Sequence, residues 1–177
     1  MTMMTCSNVC SVKAGDRMAD DVIIGSTDKR DVAFNEIING IDMKRNLIFG
    51  IDLRNGAITE SLNGSHETAV TIESADKLII RLMGSMMARF AALEAAHSDD
   101  IHKTEPDIMD VIVLIDDMSR FAGDDNFQRG INCIRKIGGQ AGYHVHIGCD
   151  DACEDDFNEF MKTGKYPVHA DDTMVSL

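Results

Sequence analysis

No apolar run in this 177-residue chain approaches the ~20 consecutive residues that a membrane-spanning helix needs. No apolar leader segment precedes a small-residue cleavage site either. These two absences argue against a spanning helix and a secretory route, and the chain reads as cytoplasmic, with no membrane partner. Cysteine is sparse and odd in number, five in all, without a regular framework. That suits a reducing compartment and not a disulfide scaffold. Positive charge is in deficit, since 17 Lys and Arg face 30 Asp and Glu for a net charge of −13. Autonomous nucleic-acid binding usually relies on a basic surface that displaces counterions, so this balance argues against it. A few basic residues could still touch DNA inside a larger assembly. The chain also lacks internal repeats and any internal domain boundary.

What is present is ordinary globular composition, with 44% hydrophobic and 27% charged residues. The length suits one domain with a substantial core. Residues 1–20 carry no sustained periodicity and read as a leader, 21–170 as the domain and 171–177 as a tail. Val22 to Ile24 form a short apolar strand closed by Gly25 and a polar turn. From Val32 the spacing becomes helical, with Phe34, Ile37, Ile38 and Ile41 recurring on one face. Leu47 to Leu53 read as a second buried strand, ending in a turn at Asn55-Gly56. Thr71 or Ser74 caps a long helix reaching Ala96, with Ala75, Leu78, Leu82, Met86, Phe90 and Leu93 on one face. The cluster Met83, Met86 and Met87 reads as core filling. "HSDDIHKTEPD" is a polar loop before a strand from Met109 to Ile115. A helix follows from Asn126 to Ile137, with Phe127, Ile131, Ile134 and Ile137 on one face, stopping at Gly138-Gly139. The strand "YHVHIG", an acidic stretch and a short helix from Phe157 to Met161 complete the chain before Pro167. Strands alternating with helices predict an α/β fold with a mainly parallel sheet and crossover helices.

Chemistry concentrates in "MDVIVLIDDMS". Val111 to Ile115 are uniformly apolar, as in a strand buried on both faces, and Asp116 and Asp117 follow at its carboxyl end. Open α/β sheets place ligands there, although a strand running out into a solvated acidic turn has the same pattern. A second constellation is His144 and His146, two apart on one strand and so on one face, with Cys149, Asp150 and Cys153 close behind. Cys6 and Cys10 repeat the C-x₃-C spacing, which is not the common zinc spacing.

The order of these pieces resembles the motor domain of the FtsK/SpoIIIE family of DNA translocases, a RecA-like P-loop NTPase fold. In that family a strand enters a phosphate loop and helix, where this chain has "VII", "GSTDKRD" and "VAFNEIINGI". "IDLRNG" resembles the family's second strand end, and "TIESADKLIIRLMGSMMARFAAL" its threonine-capped helix. "VIVLIDD" resembles the Walker B strand, and "IRKIGGQAGYHVHI" the following helix, turn and strand. The resemblance covers residues 21–148. It implies ATP and Mg²⁺ as cofactors, with Asp116 holding the metal and Asp117 polarising the attacking water. It places Gly25, Ser26, Thr27, Lys29, Arg30 and Asp31 in the phosphate loop, and it implies a homo-oligomer or a hetero-oligomer with an active motor of this type.

The departures are as specific as the matches. A P-loop reads GxxxxGK[ST], so that backbone N–H groups and a lysine reach phosphate and a hydroxyl reaches Mg²⁺. "GSTDKRD" keeps only Gly25 of the glycines. Shortened by one residue, it puts Arg30 at the lysine position and Asp31 at the hydroxyl position; unshortened, it puts Asp31 at the lysine position. Asp28 and Asp31 would set negative charge against phosphate. Asp117 is shorter than the family's glutamate, ending roughly an ångström short. The polar sensor and cation after the next strand are replaced by Asp150 and Asp151. The combined expectation is a fold retained after its hydrolytic site decayed. The alternatives are a divergent ATPase using Lys29 or Arg30 for phosphate, and a His/Cys metal-binding protein. Arg81, Arg89, Arg129, Arg135 and Lys136 are candidates for a subunit interface or DNA phosphate, or for a solvated basic face.

Overall fold

The computed structural model describes residues 22–54, 56–63 and 66–168. The leader through Asp21, the tail from residue 169, Cys6, Cys10 and Asn55 lie outside them. Among the described residues, five strands form one parallel sheet: β1 Val22–Ile24, β2 Asn46–Ile51, β3 Glu67–Ala69, β4 Asp110–Ile115 and β5 Tyr143–Cys149. Their spatial order is β1-β5-β4-β2-β3, which puts β4 at the centre. The described residues also form six α-helices: α1 Thr27–Gly40, α2 Ala57–Leu62, α3 Ile72–Ala96, α4 Ile101–Thr104, α5 Asp125–Ile137 and α6 Glu154–Thr163. Among the described residues no helix is long and apolar enough to cross a membrane.

The alternation of side chains along β4 divides the core into two layers. Val111, Val113 and Ile115 join Leu78, Leu82 and Met86 of α3, Ile131 and Ile134 of α5 and Phe157 and Phe160 of α6. Ile112 and Leu114 face the other way, against Phe34 and Ile38 of α1 and Ile58 and Leu62 of α2. Both faces of β4 are thus covered, which is why its sequence is continuously apolar.

α3 starts where a cap is available. Thr71 Oγ1 accepts from the Ser74 backbone N–H at 3.1 Å, and Ser74 Oγ accepts from the Thr71 N–H at 3.0 Å, so two orphan donors are satisfied reciprocally. The expected apolar face is buried, with Phe90 half-buried. Of the three methionines, Met86 is buried and Met83 packs on the core, but Met87 is 56% exposed. Seven residues per two turns put Met87 beside the exposed Ile80, outside the buried stripe. Ile137 is likewise 46% exposed, because the chain tightens into a 3₁₀ turn at Gly138–Ala141 instead of stopping at the glycines.

Other differences are local. β3 and α2 have no counterpart in the sequence reading, since "ETA" is too short for a periodicity and pairs along β2 through backbone bonds. β2 ends at Ile51, where Asp52 turns its carboxylate onto the start of α2. The polar loop contains the single turn of α4, capped by Asp100. α6 is longer than expected, taking in the three acidic residues of its first turn, a placement the helix dipole favours. The most consequential shift is in α1, which starts at Thr27, five residues before Val32.

Candidate functional site

Three strand ends meet in register on the α1 face of the sheet. Ile51 pairs with Ile115 and Ile115 with Ile147, so Asp52, Asp116 and Gly148 follow side by side. Gly148 is required there. A Cβ would lie 2.0 Å from the Asp116 carbonyl oxygen and 3.1 Å from Arg30 Cδ. Without one, the end of β4 and the Arg30 side chain close over β5.

The connection from β1 to α1 is only Gly25 and Ser26. Residues expected in a phosphate loop are helical from Thr27, with the Arg30 N–H bonded to the Ser26 carbonyl at 3.0 Å. A two-residue connection cannot make the concave run of N–H groups that cradles phosphate. Gly25 is itself committed to the sheet, its N–H donating to the Cys149 carbonyl at 3.1 Å. Ser26, Thr27 and Lys29 are exposed, Arg30 is fully buried and Asp31 half-buried.

Arg30 points inward from the first turn of α1. Its Nη1 donates to the Gly25 carbonyl at 2.5 Å and to Asp150 Oδ2 at 3.4 Å, and its Nε lies 3.8 Å from Asp116 Oδ1. The expected phosphate-binding cation is therefore consumed by the strand end and two carboxylates of this chain. Asp150, expected from the resemblance to replace a polar sensor, is an ion-pair partner of Arg30. Its carboxyl is held below the usual carboxylate range, first by the Ala152 backbone N–H and also by Arg30.

Sequence reading missed Arg54. It follows β2 within "IDLRNG" and reaches across the end of β4. Nη1 donates to Thr27 Oγ1 at 2.8 Å, Nη2 is bonded to Asp117 Oδ2, and Nε lies 3.9 Å from Asp116 Oδ2. The signal was its position, two residues past the acid that ends a strand neighbouring β4. Asp117 Oδ1 is also taken, by the Ser119 N–H at 3.0 Å and the Ser119 hydroxyl at 2.7 Å. Asp52, also missed, accepts from the Gly56 N–H, the Thr59 N–H and the Thr59 hydroxyl, and so anchors α2.

Asp116 is the unsettled member. It is 4% exposed, and its Oδ2 has no hydrogen-bond donor. Burial pushes its pKa up to about 6; Arg30 opposes that rise, Asp52 adds to it, Arg54 opposes it and Asp117 adds to it. The geometry fits a magnesium–triphosphate poorly. The two-residue β1–α1 connection offers no phosphate nest, Arg30 is taken up by the Gly25 carbonyl and Asp150, and Arg54 is bonded to Asp117 and lies 3.9 Å from Asp116. The hydroxyl bonded to the acid pair is that of Ser119, whereas the Thr27 hydroxyl is held by Arg54.

The His/Cys constellation does not assemble. His144 and His146 pair in register with Ile112 and Leu114, on the α1 face. Cys149 is odd in the same count and falls in the opposite layer, where its thiol meets the Tyr166 hydroxyl at 3.9 Å. Burial pushes the Cys149 thiol up to about 12. Among the described residues no three His, Cys, Asp or Glu side chains are grouped to hold a metal ion. Several candidate interface cations are tied down too. Arg89 donates to the Ala141 and Met109 carbonyls over the Tyr143 ring, Arg135 to the Met161 carbonyl, and Arg81 pairs with Glu67. Arg129 bonds within its own helix.

No protein-family model matches the chain, and no curated protein does. Solved structures do. The chain is similar to the pCW3 conjugation coupling protein TcpA in its monomer form with ATPγS, at 12% identity and a TM-score of 0.59. That match covers 74% of this chain and 42% of TcpA. It is similar to ATPases 2 and 3 of EssC from Geobacillus thermodenitrificans, at 12% identity and a TM-score of 0.62 over 75% of this chain and 28% of that one. ATPases 2 and 3 of Thermomonospora curvata EccC, in complex with a signal sequence peptide, match at 15% identity and a TM-score of 0.60. There the coverage is 80% of this chain and 26% of that one. This chain thus spans less than half the length of each. These neighbours are FtsK/SpoIIIE-type P-loop ATPase domains, and the likeness establishes the fold, a RecA-like P-loop ATPase fold with an all-parallel sheet.

Proposed function

We propose that this chain is a P-loop ATPase-type module related to DNA translocase motors, that it neither binds nor hydrolyses ATP, and that it serves as an assembly or regulatory subunit. One observation carries the reading. The two acids at the end of β4 face two arginines of their own chain, Arg30 beneath and Arg54 above, where a nucleotide site needs an open position. The fold supplies the remaining support. RecA-like domains of the resembled family work in rings, and a subunit with a closed site can keep its place in such an assembly while contributing no chemistry. DNA contact, on this reading, arises only within that assembly, since the chain carries a net charge of −13.

The test is a thermal-shift titration with ATP–Mg²⁺. A ligand at 100 Kd stabilises by ~2.7 kcal/mol, an easily read shift. The expected result is a flat titration at millimolar nucleotide. A clear upward shift, abolished by Asp116→Ala, replaces this reading with a divergent ATPase. Assembly is read by sedimentation of the chain alone and mixed with an active FtsK-type motor domain. A monomer in both experiments removes the subunit role.

A further inference from the structure

α3 carries a second stripe, on the side away from the core. Lys77, Ile80, Gly84, Met87, Ala91 and Glu94 are all exposed and follow one another at alternating steps of three and four residues. That is the spacing of a coiled-coil seam, and it lies opposite the buried stripe of Leu78, Leu82 and Met86. Ile80 is 71% exposed, more than any other large apolar side chain among the described residues. We propose that this stripe is a self-association surface, on which a second copy of the chain lays its own α3 antiparallel about a two-fold axis. The proposal gives a partner and a face to the assembly reading above, on which it rests.

Gly84 points to a close neighbour. It sits at the middle of a 25-residue helix, where glycine is the poorest helix former after proline. Its own chain does not need the missing side chain, since a Cβ at 84 would meet nothing within 4 Å. Such a gap suits a large side chain arriving from outside, and Met87, one turn along and exposed, offers one. Charge points to the same contact. A chain of net charge −13 resists its own copy, yet no acidic residue lies between Lys77 and Glu94. The two arginines of that span are engaged elsewhere, Arg81 with Glu67 and Arg89 with the Ala141 and Met109 carbonyls.

The stripe also fixes the direction of pairing. Setting Gly84 against the second copy's Met87 brings Ile80 onto its Ala91 and Lys77 onto its Glu94, and the two-fold axis repeats each contact. Lys77 is already bonded to Glu73 at 2.6 Å, so the pair holds it between two carboxylates. A parallel pair instead sets Lys77 on Lys77 and Glu94 on Glu94, like charge on like. A shift by one heptad sets Lys77 on Met87, or Glu94 on Gly84. One helix face is a small interface, so the pair is weak, with a Kd on the order of tens of micromolar. At about 1 µM the chain is then a monomer, and unfolding at that concentration finds this face bare.

The experiment is sedimentation equilibrium of the full chain from about 1 µM to about 1 mM, on wild type, Gly84→Gln, Lys77→Glu, Glu94→Lys and Lys77→Glu/Glu94→Lys. Urea unfolding at the dilute end checks that each variant folds. The expected result is a monomer–dimer equilibrium that Gly84→Gln weakens at least about tenfold while its urea midpoint rises, because glutamine is the better helix former. A purely structural role for Gly84 would not move those two readings in opposite directions. Each single charge variant is expected to weaken pairing about tenfold, and the double variant to restore it, since the swap remakes the contact with its signs exchanged. A wild type that stays monomeric overturns the inference. So does a Gly84→Gln protein that pairs as well as wild type or fails to fold, and so does a charge swap that restores nothing. A chain that joins an active FtsK-type motor domain but does not pair alone overturns this inference and leaves the subunit role standing. Pairing that survives every variant leaves self-assembly standing and removes it from α3.

Discussion

Gly148 and Asp116 are in register on adjacent strands, and the Asp116 carbonyl oxygen fills the space a side chain at 148 would need. A Cβ there would be 2.0 Å from that oxygen, with the carbonyl carbon at 2.9 Å and Arg30 Cδ at 3.1 Å. The obstruction is backbone, which cannot rotate away as a side chain end can. Gly148→Ala is therefore expected to destabilise the protein by about 2–4 kcal/mol, through overpacking that displaces the end of β4. Urea unfolding measures this, and a loss below about 0.5 kcal/mol would mean the two strand ends do not touch.

Asp116 gives the fold a pH signature. Its pKa of about 6 in the folded chain lies above the ordinary value of 3.8, so the native state holds this proton more tightly than the unfolded state does. Its contribution to stability is fully present below about pH 4 and is lost as pH rises to about pH 6. The window is worth on the order of 2–3 kcal/mol. Asp116→Asn, which resembles the protonated acid, is expected to remove that part of the pH dependence and to be more stable than wild type at pH 8. The check is the difference between the two stability profiles from pH 4 to pH 8. Parallel profiles would place the carboxylate in water.

The fold was legible because its signals are long. β4 declares itself by five apolar residues, and α3 by a cap and a repeating face over twenty-five residues. The order of strand-terminal acids and helices was enough to indicate a RecA-like arrangement. The site was only half legible. Asp116 and Asp117 could be placed at a sheet edge, but what neutralises them could not, because Arg54 and Arg30 reach them from residues 62 and 86 positions away in the chain. The helical start at Thr27 was hidden as well. "TDKRD" has no apolar periodicity, and it is helical because Ser26 and Arg30 close the first turn while Arg30 is drawn under the sheet edge.

The methionines of α3 offer a test of the layer boundary that sequence composition alone misjudged. Met86 is fully buried and Met87 is 56% exposed, although they are adjacent. Met86→Ala is expected to cost about 2–4 kcal/mol, since it empties a packed position against Gly138 and the β4 layer. Met87→Ala should change stability by no more than about 0.5 kcal/mol. Comparable losses in both would mean that the outer face of α3 is covered in solution, and sedimentation of the wild type would show by what mass.

Arg30 and Asp116 are separated by 3.8 Å with both side chains buried, and their energies should be inseparable. Arg30→Met keeps the bulk of the side chain and removes its charge, leaving Asp116 near Asp52 and Asp117 with only Arg54 to oppose them. Breaking one partner from a buried pair typically costs about 3–5 kcal/mol, because the remaining charge stays desolvated. That loss is expected at pH 8, where Asp116 must ionise or take up a proton at a cost. It should shrink at pH 5, since removing Arg30 raises the Asp116 pKa further and the acid is then protonated without penalty. Adding Asp116→Asn to Arg30→Met should recover much of the stability at pH 8, so the double-mutant cycle should give a coupling of at least about 1 kcal/mol. Additive losses at both pH values would mean that Arg30 acts only through the Gly25 carbonyl and Asp150, as a strap for the β1 end, and that Asp116 is neutralised from the Arg54 side alone.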